Sequence, residues 1–480
     1  MVASLGGRIG ERTGFLIETD HLRSRVDDAY FGAPLIAGRI DPSIFRRNYN
    51  QSPNNRMADD VTWLRGVFTH QFSDAFDYKG QVFSYRADRD WRNFYAFSFI
   101  AGPPRQIEAR NVESLGYDHE LWGTRHDVKL VTRLGQVESR TVFSFEHTDT
   151  DFSSPRRDGP PSTGAPRPRF DVNAPQPALF VQGPRLRQRE ADIRQTGASI
   201  EQRLSLGQLA LIGGLRATWI DGIIARPQAS PPVAPFEVEF TPLDWRAALT
   251  WQPTERATLY ATVTSGNEPV ESLLLLPLAQ ADFRLTRSRG YEIGYKGSYG
   301  PISVTGAAFI LNKDRLPSAN PADPNLAPQI GRQESRGFEL SGRYDGRVVS
   351  AGANLAYVDA EFQQLNDFGT FRDGVRPANV PSWVVNADLA VRPVDPLTIG
   401  AFLQHVSGRA SNNANALTLP AYTTLDAFAE WRVAPALTVT ARVANLFDES
   451  YVEWATQSFG QNNLYFGSPR RFEASLAARF

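Results

Sequence analysis

The chain ends on the stretch "RRFEASLAARF", Arg470–Phe480, in which apolar and polar residues alternate strictly. The apolar residues share one parity of the numbering: Phe472, Ala474, Leu476, Ala478 and Phe480. The polar residues share the other: Arg471, Glu473, Ser475 and Arg479. Because successive side chains of a β-strand point to opposite faces, this segment predicts a strand with one apolar and one charged face. Such a strand suits the edge of a soluble sheet or the wall of a membrane barrel.

The composition excludes several classes of protein. The 480 residues carry 51 basic and 52 acidic side chains, so no nucleic-acid partner is indicated. Cysteine is absent, which excludes disulfides and thiol chemistry. The longest apolar stretch, Leu273–Ala279, is far shorter than the ~20 residues that a membrane-spanning helix needs. The first residues, "MVASLGGRIGERTG", do not have the pattern of a secretory signal peptide.

Tight and long connections alternate along the chain from about Val61 to the end. The tight ones are clusters of Gly, Pro, Asp and Ser that favour short reversals: Ser73–Phe76, Leu134–Gln136, Ser205–Gln208, Pro253–Arg256, Ser298–Pro301, Asp345–Arg347, Pro393–Pro396 and Val433–Pro435. The long ones are polar and rich in Pro, Asn and Arg: Ser153–Glu190, Asp221–Phe236, Pro317–Ile330, Asn366–Ala378 and Ser411–Leu419. Hairpins with short turns on one side and long loops on the other are typical of an outer-membrane barrel.

The segments between these connections alternate in polarity with a period of two, as at Val137–His147, Gly290–Lys296 and Tyr422–Val433. Aromatic residues stand beside three short turns, where the aromatic girdle of a barrel meets the inner interface: Trp251, Tyr299 and Trp431. A large soluble propeller or sandwich is the alternative, since it also has many strands. Against it, the predicted strands run to about 12–15 residues, longer than the usual ~5–6.

Five motifs in the second half of the chain resemble the TonB-dependent outer-membrane receptors. Two of them resemble that family's last two strands: "VANLFDESYVEWA" (Val443–Ala455) and "YFGSPRRFEASLAARF" (Tyr465–Phe480). Three resemble its internal strands: "SRGYEIGYKGSYG" (Ser288–Gly300), "ESRGFELSGRYDG" (Glu334–Gly346) and "VPSWVVNADLAVRP" (Val380–Pro393). Upstream stretches resemble the siderophore branch of the family: Asp28–Leu35, Asn48–Asn50 and Trp63–Trp91.

The resemblance implies an all-β fold, a transmembrane antiparallel β-barrel in the outer membrane of a Gram-negative bacterium. Residues 1–480 would form the barrel domain, with about 18 of the family's 22 strands and without the plug domain. The first strand is expected near Phe15–Arg23, which places both chain ends on the periplasmic side. The terminal Phe480 would be the residue that the barrel-assembly machinery reads.

The function implied by the resemblance is active uptake of a ferric siderophore, energised by TonB through a plug that this sequence lacks. Neither a catalytic site nor a resident metal or cofactor is expected. Outer-membrane lipid and lipopolysaccharide would surround the barrel. Arginine forks and aromatic rings suit anionic, aromatic chelates, so the candidate ligand contacts are Arg156, Arg157, Arg167, Arg169, Trp454 and Tyr465.

Three other functions stay open from the sequence. A passive, porin-like channel would share the barrel, and cobalamin, haem or a glycan could be the cargo of a TonB-dependent importer. A soluble β-repeat module that binds carbohydrate is the third. The stretch "EHTDTDF", Glu146–Phe152, has the composition of a calcium loop without its ordered ligand spacing, so we interpret it as the end of a strand.

Overall fold

The computed structural model describes residues 1–157, 167–179, 185–228, 232–268, 284–316, 331–367, 369–458 and 461–479. Within these ranges, no helix is long and apolar enough to cross a membrane. The described helical structure is one short 3-10 turn, Pro42–Ile44, in which the Ser43 amide donates to the Asp41 carboxylate at 2.9 Å. Phe480, the proposed assembly signal, lies outside the described residues.

The main sheet of the described residues is antiparallel and contains nineteen strands of at least eight residues, each paired with the next one along the chain. We number them β1 to β19: Val2–Ile9, Thr13–Val26, Arg56–Ser73, Phe76–Ile100, Gln106–Leu134, Val137–Arg157, Arg185–Leu206, Leu209–Ala225, Leu243–Thr254, Ala257–Asn267, Arg287–Tyr299, Ile302–Leu316, Gly331–Asp345, Val349–Gln364, Trp383–Val394, Leu397–Val406, Tyr422–Ala434, Leu437–Ala444 and Arg471–Ala478. Two short strands, Arg169–Asp171 and Phe236–Phe240, extend the ladders of β5 and β8.

The alternation of tight turns and long loops is confirmed. All eight predicted tight connections join neighbouring strands at one end of the sheet, which we call the turn side. Gly135, Gly207 and Gly300 take up positive φ there, between 56° and 63°, a conformation that glycine adopts at no steric cost. The long connections meet at the other end, the loop side. The predicted loop Pro317–Ile330 lies outside the described residues.

The predicted start of the barrel was wrong by one strand. β1 precedes the expected first strand, and a tight turn at residues 10–12 joins β1 to β2. Because Gly6 and Gly7 interrupt its alternation, "VASLGGRI" has a weak strand pattern. The nineteen strands therefore replace the estimate of about 18. Because of this extra strand, the chain begins by running toward the turn side. Met1 therefore does not lie at the turn side, although the sequence predicted that it would.

The pairing register carries two kinds of side chain to opposite faces of the sheet. One row crosses β3 to β6 with apolar and aromatic residues: His70, Tyr78, Val128 and Phe143. The next row, one residue along each strand, is polar: Thr69, Lys79, Asp127 and Ser144. In β19, Phe472 and Leu476 are 74% and 68% exposed on the apolar face, as the alternation predicted.

The apolar face forms a band of the height expected for a membrane barrel. On β3 it runs from Phe72 at the turn side to Leu64, a span of nine residues and about 27 Å along the strand. At the ~35–45° tilt of barrel strands this length spans about 20 Å of height, comparable with the ~25 Å band of outer-membrane barrels. The predicted girdle residues Trp251, Tyr299 and Trp431 all lie on this face near the tight turns and are about half exposed.

The opposite face is polar, and its charges are paired both within strands and across the sheet. Arg125 contacts Asp127 at 3.1 Å and Glu146 at 3.5 Å, while Arg216 reaches the same Glu146 from β8 at 3.5 Å. Such a wall suits the water-filled or plugged interior of a barrel. Glu146–Phe152 lies within β6 and is paired on both sides, so the interpretation as strand is confirmed, although the strand continues beyond it to Arg157.

On the loop side, segments from the two ends of the chain pair with each other. Val452–Ser458 and Gln461–Phe466 form a hairpin, and Ala33–Pro34 adds a short third strand to it. The Arg46 guanidinium also pairs with the Asp448 carboxylate. The loops next to β2 and β19 are therefore held together above the sheet.

Candidate functional site

Several of the loop-side segments converge on one buried apolar cluster, which we call the loop-side core. It joins six separate parts of the chain: Ala33, Ile36, Ile44, Phe45, Tyr49, Phe94, Phe97, Ile107, Ala109, Val112, Phe170, Val172, Leu419, Val452, Ala455, Leu464 and Phe466. Burying each large apolar side chain stabilises the structure by ~1.5–3 kcal/mol. The loops that carry the candidate residues are therefore packed against one another.

A buried asparagine fixes the first long loop to this core. The Asn50 side chain donates to the Ala29 carbonyl and to Asn93 Oδ1, both at 2.8 Å, and its own Oδ1 accepts from the Phe94 amide at 2.7 Å. Buried polar groups require such partners. The motif "NYN", Asn48–Asn50, resembles the siderophore branch, but the sequence does not predict its structural role because its partners are distant along the chain.

Two of the predicted arginines, Arg167 and Arg169, lie together on a single buried carboxylate. Glu108 is 6% exposed. It accepts hydrogen bonds from Arg169 at 3.1 Å, from Arg110 at 3.3 Å and from Arg167 at 3.4 Å. Burial alone would raise the pKa of Glu108, but the hydrogen bonds from Arg169, Arg167 and Arg110 hold it below its usual range.

This arginine cluster has surplus positive charge and faces away from the loop-side core. Three guanidinium groups share one carboxylate, which leaves a formal charge of about +2, and their side chains are 36–53% exposed. Glu108 pairs with Arg169, whereas the next pair, Ile107 and Phe170, is buried in the core. The arginines can therefore contact an anion in solution without unpacking the core.

The predicted aromatic residues, Trp454 and Tyr465, stack on each other. Their ring centroids lie 3.9 Å apart with 13° between the planes, across the hairpin defined above. Tyr30 packs edge-on against Tyr465 at 6.3 Å, and its hydroxyl donates to the Leu464 carbonyl at 3.4 Å. Trp454 remains 41% exposed. One face of an aromatic pair is thus available on a rigid hairpin for stacking with a planar group.

The remaining two candidates lie apart from these groups in the sheet. Arg156 and Arg157 end β6, where Arg156 pairs with Leu115 and Leu186 and Arg157 pairs with Arg185. Their side chains lie outside the described part of the chain. Four of the six candidate residues are therefore brought into two local groups, one basic and one aromatic, around a shared core.

Sequence reasoning missed two residues, Asn379 and Arg409, that bind the backbone of the hairpin formed by Val452–Ser458 and Gln461–Phe466, which we call the aromatic hairpin. Asn379 donates from Nδ2 to the Ala455 carbonyl at 2.8 Å and accepts from the Ala455 amide at 2.9 Å. Its φ of 59° is one that asparagine tolerates better than most residues. Arg409 donates from Nη2 to the Val452 carbonyl at 2.7 Å. Asn379 stands one residue before the motif Val380–Pro393, so the sequence pattern does not include it.

No cluster of three or more His, Asp or Glu side chains with the geometry of a metal site occurs among the described residues. Five of the six histidines instead bond a hydroxyl on a neighbouring strand. Examples are His70 with Thr13 at 2.8 Å, and His405 with Thr423 at 2.8 Å.

The comparisons with known proteins agree with this architecture. A family model described as "TonB dependent receptor-like, beta-barrel" matches residues 9–446. The Metal-pseudopaline receptor CntO of Pseudomonas aeruginosa is 30% identical over 256 residues, covering 49% of this chain and 33% of that protein. The Ferrichrome outer membrane transporter/phage receptor of Escherichia coli K12 is 26% identical over 518 residues, covering 98% of this chain and 66% of that protein. The chain thus spans between one third and two thirds of these relatives.

Solved structures of siderophore receptors share the fold. The siderophore receptor PiuA from Acinetobacter baumannii superposes with a TM-score of 0.87 at 15% identity, covering 99% of this chain and 73% of that one. The ferric-catecholate import receptor Fiu from E. coli K12 gives a TM-score of 0.83 at 15% identity, covering 100% and 74%. Together with the family match, the apolar band and the alternating loops, these findings place the chain in the outer membrane as a member of the TonB-dependent receptor-like β-barrel family.

Proposed function

We propose that the protein takes up a ferric siderophore across the outer membrane, with energy supplied by TonB through a plug domain. The names of the relatives support this proposal, since they include a metal-pseudopaline receptor, a ferrichrome transporter and a ferrioxamine B receptor. We further propose that lipopolysaccharide surrounds the barrel near the loop side. We also propose that the barrel-assembly machinery recognises the last strand and the terminal Phe480.

The observation that carries the proposal is the pair of groups around the loop-side core. Ferric siderophores are mostly anionic or rich in carbonyl groups, and many are aromatic. Arginines offer fixed pairs of donors to such oxygens, and stacked aromatic rings offer a flat apolar surface. We assign the arginine contacts to Arg156, Arg157, Arg167 and Arg169 and the aromatic contacts to Trp454 and Tyr465.

Uptake of radioactive iron tests the transport mechanism. The full-length receptor would be expressed in a strain without its own siderophore receptors and supplied in turn with ferric hydroxamate, catecholate and carboxylate chelates. We expect uptake of at least one class, and we expect deletion of TonB to abolish it. Uptake that persists without TonB would instead indicate a passive channel.

A substitution in the aromatic stack tests the cargo contact. Trp454→Ala should weaken binding of the transported chelate by about tenfold or more, because stacking and buried area contribute ~1–3 kcal/mol in aromatic contacts. Trp431→Ala is the matched control, since Trp431 is similarly exposed but lies by a tight turn at the opposite end of the sheet. Equal affinity of the two variants for the chelate would mean that the stacked pair Trp454 and Tyr465 does not contact the cargo.

Haem is the second candidate cargo. The Heme transporter BhuA of Brucella abortus is 31% identical over 187 residues, which is 37% of this chain and 27% of that protein. A planar porphyrin would also stack on Trp454. Growth on haem as the only iron source, with no growth on ferric chelates, would favour this cargo.

A further inference from the structure

Arg409 is a buried cation that lies behind the aromatic hairpin. It is 4% exposed and belongs to a short strand, Arg409–Ala410, that pairs with Thr418–Leu419. Its Nη2 donates to the carbonyls of Val452 and Glu453, and its guanidinium lies 5.6 Å from the centre of the Tyr422 ring. These neutral partners satisfy some of its donors but do not neutralise its charge.

The charge of Arg409 is poorly compensated. Within the described residues, no carboxylate forms an ion pair with it. Burial lowers the pKa of the guanidinium below its usual range, and the nearby Tyr422 and Glu453 oppose this only in part. A buried charge destabilises a structure unless it is paired and its hydrogen bonds are satisfied.

Two buried donors beside this charge have no partner. Arg409 Nη1 and Ser411 Oγ are both inaccessible and make no hydrogen bond within the described part of the chain. Ser411 is 1% exposed. Its amide donates to the Leu417 carbonyl at 2.9 Å, which continues the pairing of Arg409–Ala410. Ser411 directly follows this short strand, so the two unpartnered donors are carried by residues two positions apart in the same buried segment.

We propose that Arg409 and Ser411 bind a small inorganic anion, such as chloride, on the loop side of the sheet. An anion would accept from Nη1 and from the Ser411 hydroxyl and would also compensate the guanidinium charge, which water cannot do. A siderophore is excluded from this position by its size, since both donor atoms are sealed from solvent. The anion would thereby stiffen the support of the Val452–Ser458 strand, which carries Trp454. This site does not depend on the identity of the cargo.

Crystals of the full-length receptor grown in sodium bromide test the site directly. We expect an anomalous bromide peak within hydrogen-bond distance of Arg409 Nη1 and Ser411 Oγ. The same crystals of the Arg409→Gln variant should lack the peak. In the wild-type protein, density without an anomalous signal would identify a water molecule instead of bromide. That result, or no density at all, would overturn the proposal.

Thermal unfolding in detergent gives a second measurement that does not need crystals. Above the dissociation constant, a tenfold rise in chloride with gluconate as the replacement ion should raise the unfolding midpoint by about 1–2 °C in a chain of this size. Arg409→Gln should remove this dependence. Arg409→Lys, which keeps the charge, covers the case in which the first variant does not fold, and it should retain part of the dependence.

The matched control is Arg376→Gln in the neighbouring loop. Arg376 already has a carboxylate partner, Asp359 at 3.0 Å, and donates to the Val358 carbonyl at 3.2 Å. Its removal should lower the midpoint at every chloride concentration and leave the chloride dependence intact. Chloride dependence that survives in Arg409→Gln would refute the assignment.

Discussion

Glu108 organises the basic part of the candidate site, so its protonation should control the local structure. Because its folded pKa is depressed, its contribution to stability is present above the ordinary glutamate pKa of about 4.3 and is lost as the pH falls through the lower folded value. Backbone protection of Ala109 and Val172, whose amides bond across this region, should therefore decrease toward pH 3. Hydrogen exchange, corrected for its intrinsic rate, measures this change.

The variant Glu108→Gln should remove that pH dependence. We expect it to lower protection at pH 7 by about 1–2 kcal/mol, a discounted value because the three arginines are themselves partly exposed. Glu120→Gln is the control on the same strand, since Glu120 and its partner Arg86 are 60% and 78% exposed. A pH dependence that persists in Glu108→Gln would assign it to another group.

At this scale the sequence identified residue types but not their partners. Arg167, Arg169, Trp454 and Tyr465 were chosen because their chemistry suits anionic and aromatic ligands. The sequence does not identify Glu108 as part of the site. Its carboxylate binds Arg169, which lies 61 residues away, and nothing in either segment indicates the contact. The burial of Arg409 could not be predicted for the same reason, since it depends on the hairpin that packs over this residue.

Among the elements, the connection from the hairpin into β19 depends on a glycine. A Cβ atom at Gly467 would overlap the Tyr451 ring, and the Gly467 amide donates to the Tyr451 carbonyl at 3.0 Å. Tyr451 in turn stacks on Tyr422 at 4.2 Å. Gly467→Ala should therefore displace the ring and destabilise the folded receptor by about 1–3 kcal/mol. The midpoint of heat-modifiable gel mobility reports this loss.

Gly342→Ala is the matched control for that change. Gly342 lies within β13, and a Cβ atom there would meet nothing within 4 Å. It should leave the midpoint unchanged or slightly higher, since alanine restricts the unfolded chain more than glycine does. If both variants behave alike, the contact with Tyr451 is not what requires glycine at position 467.

Elements with strong local signals were predicted well, and elements without them were missed. The eight tight turns carry Gly, Pro, Asp or Ser, and each was found. The turn at residues 10–12 was missed because the strand before it has two adjacent glycines and little alternation. The loop-side hairpin Val452–Phe466 was recognised as motifs, while its pairing with Ala33–Pro34 joins segments more than 400 residues apart.

For the whole molecule, the period-two pattern determines which face meets lipid, because a register fixed by short turns carries each parity unbroken from strand to strand. Ile293 is 64% exposed on the apolar face, with Ala261 and Ala308 as its cross-strand neighbours. Thr262 lies on the opposite face and pairs with Glu292. These adjacent positions allow the same substitution to be placed in either environment.

Ile293→Arg should destabilise the barrel by about 2–4 kcal/mol, the effect of a cation near the middle of the lipid-facing band. Thr262→Arg should be close to neutral, because its guanidinium would lie on the polar face beside the Glu292 carboxylate. Urea-dependent unfolding in lipid vesicles gives both free energies. Similar losses for the two variants would mean that the apolar parity does not face lipid, and a larger loss for Thr262→Arg would reverse the assignment of the faces.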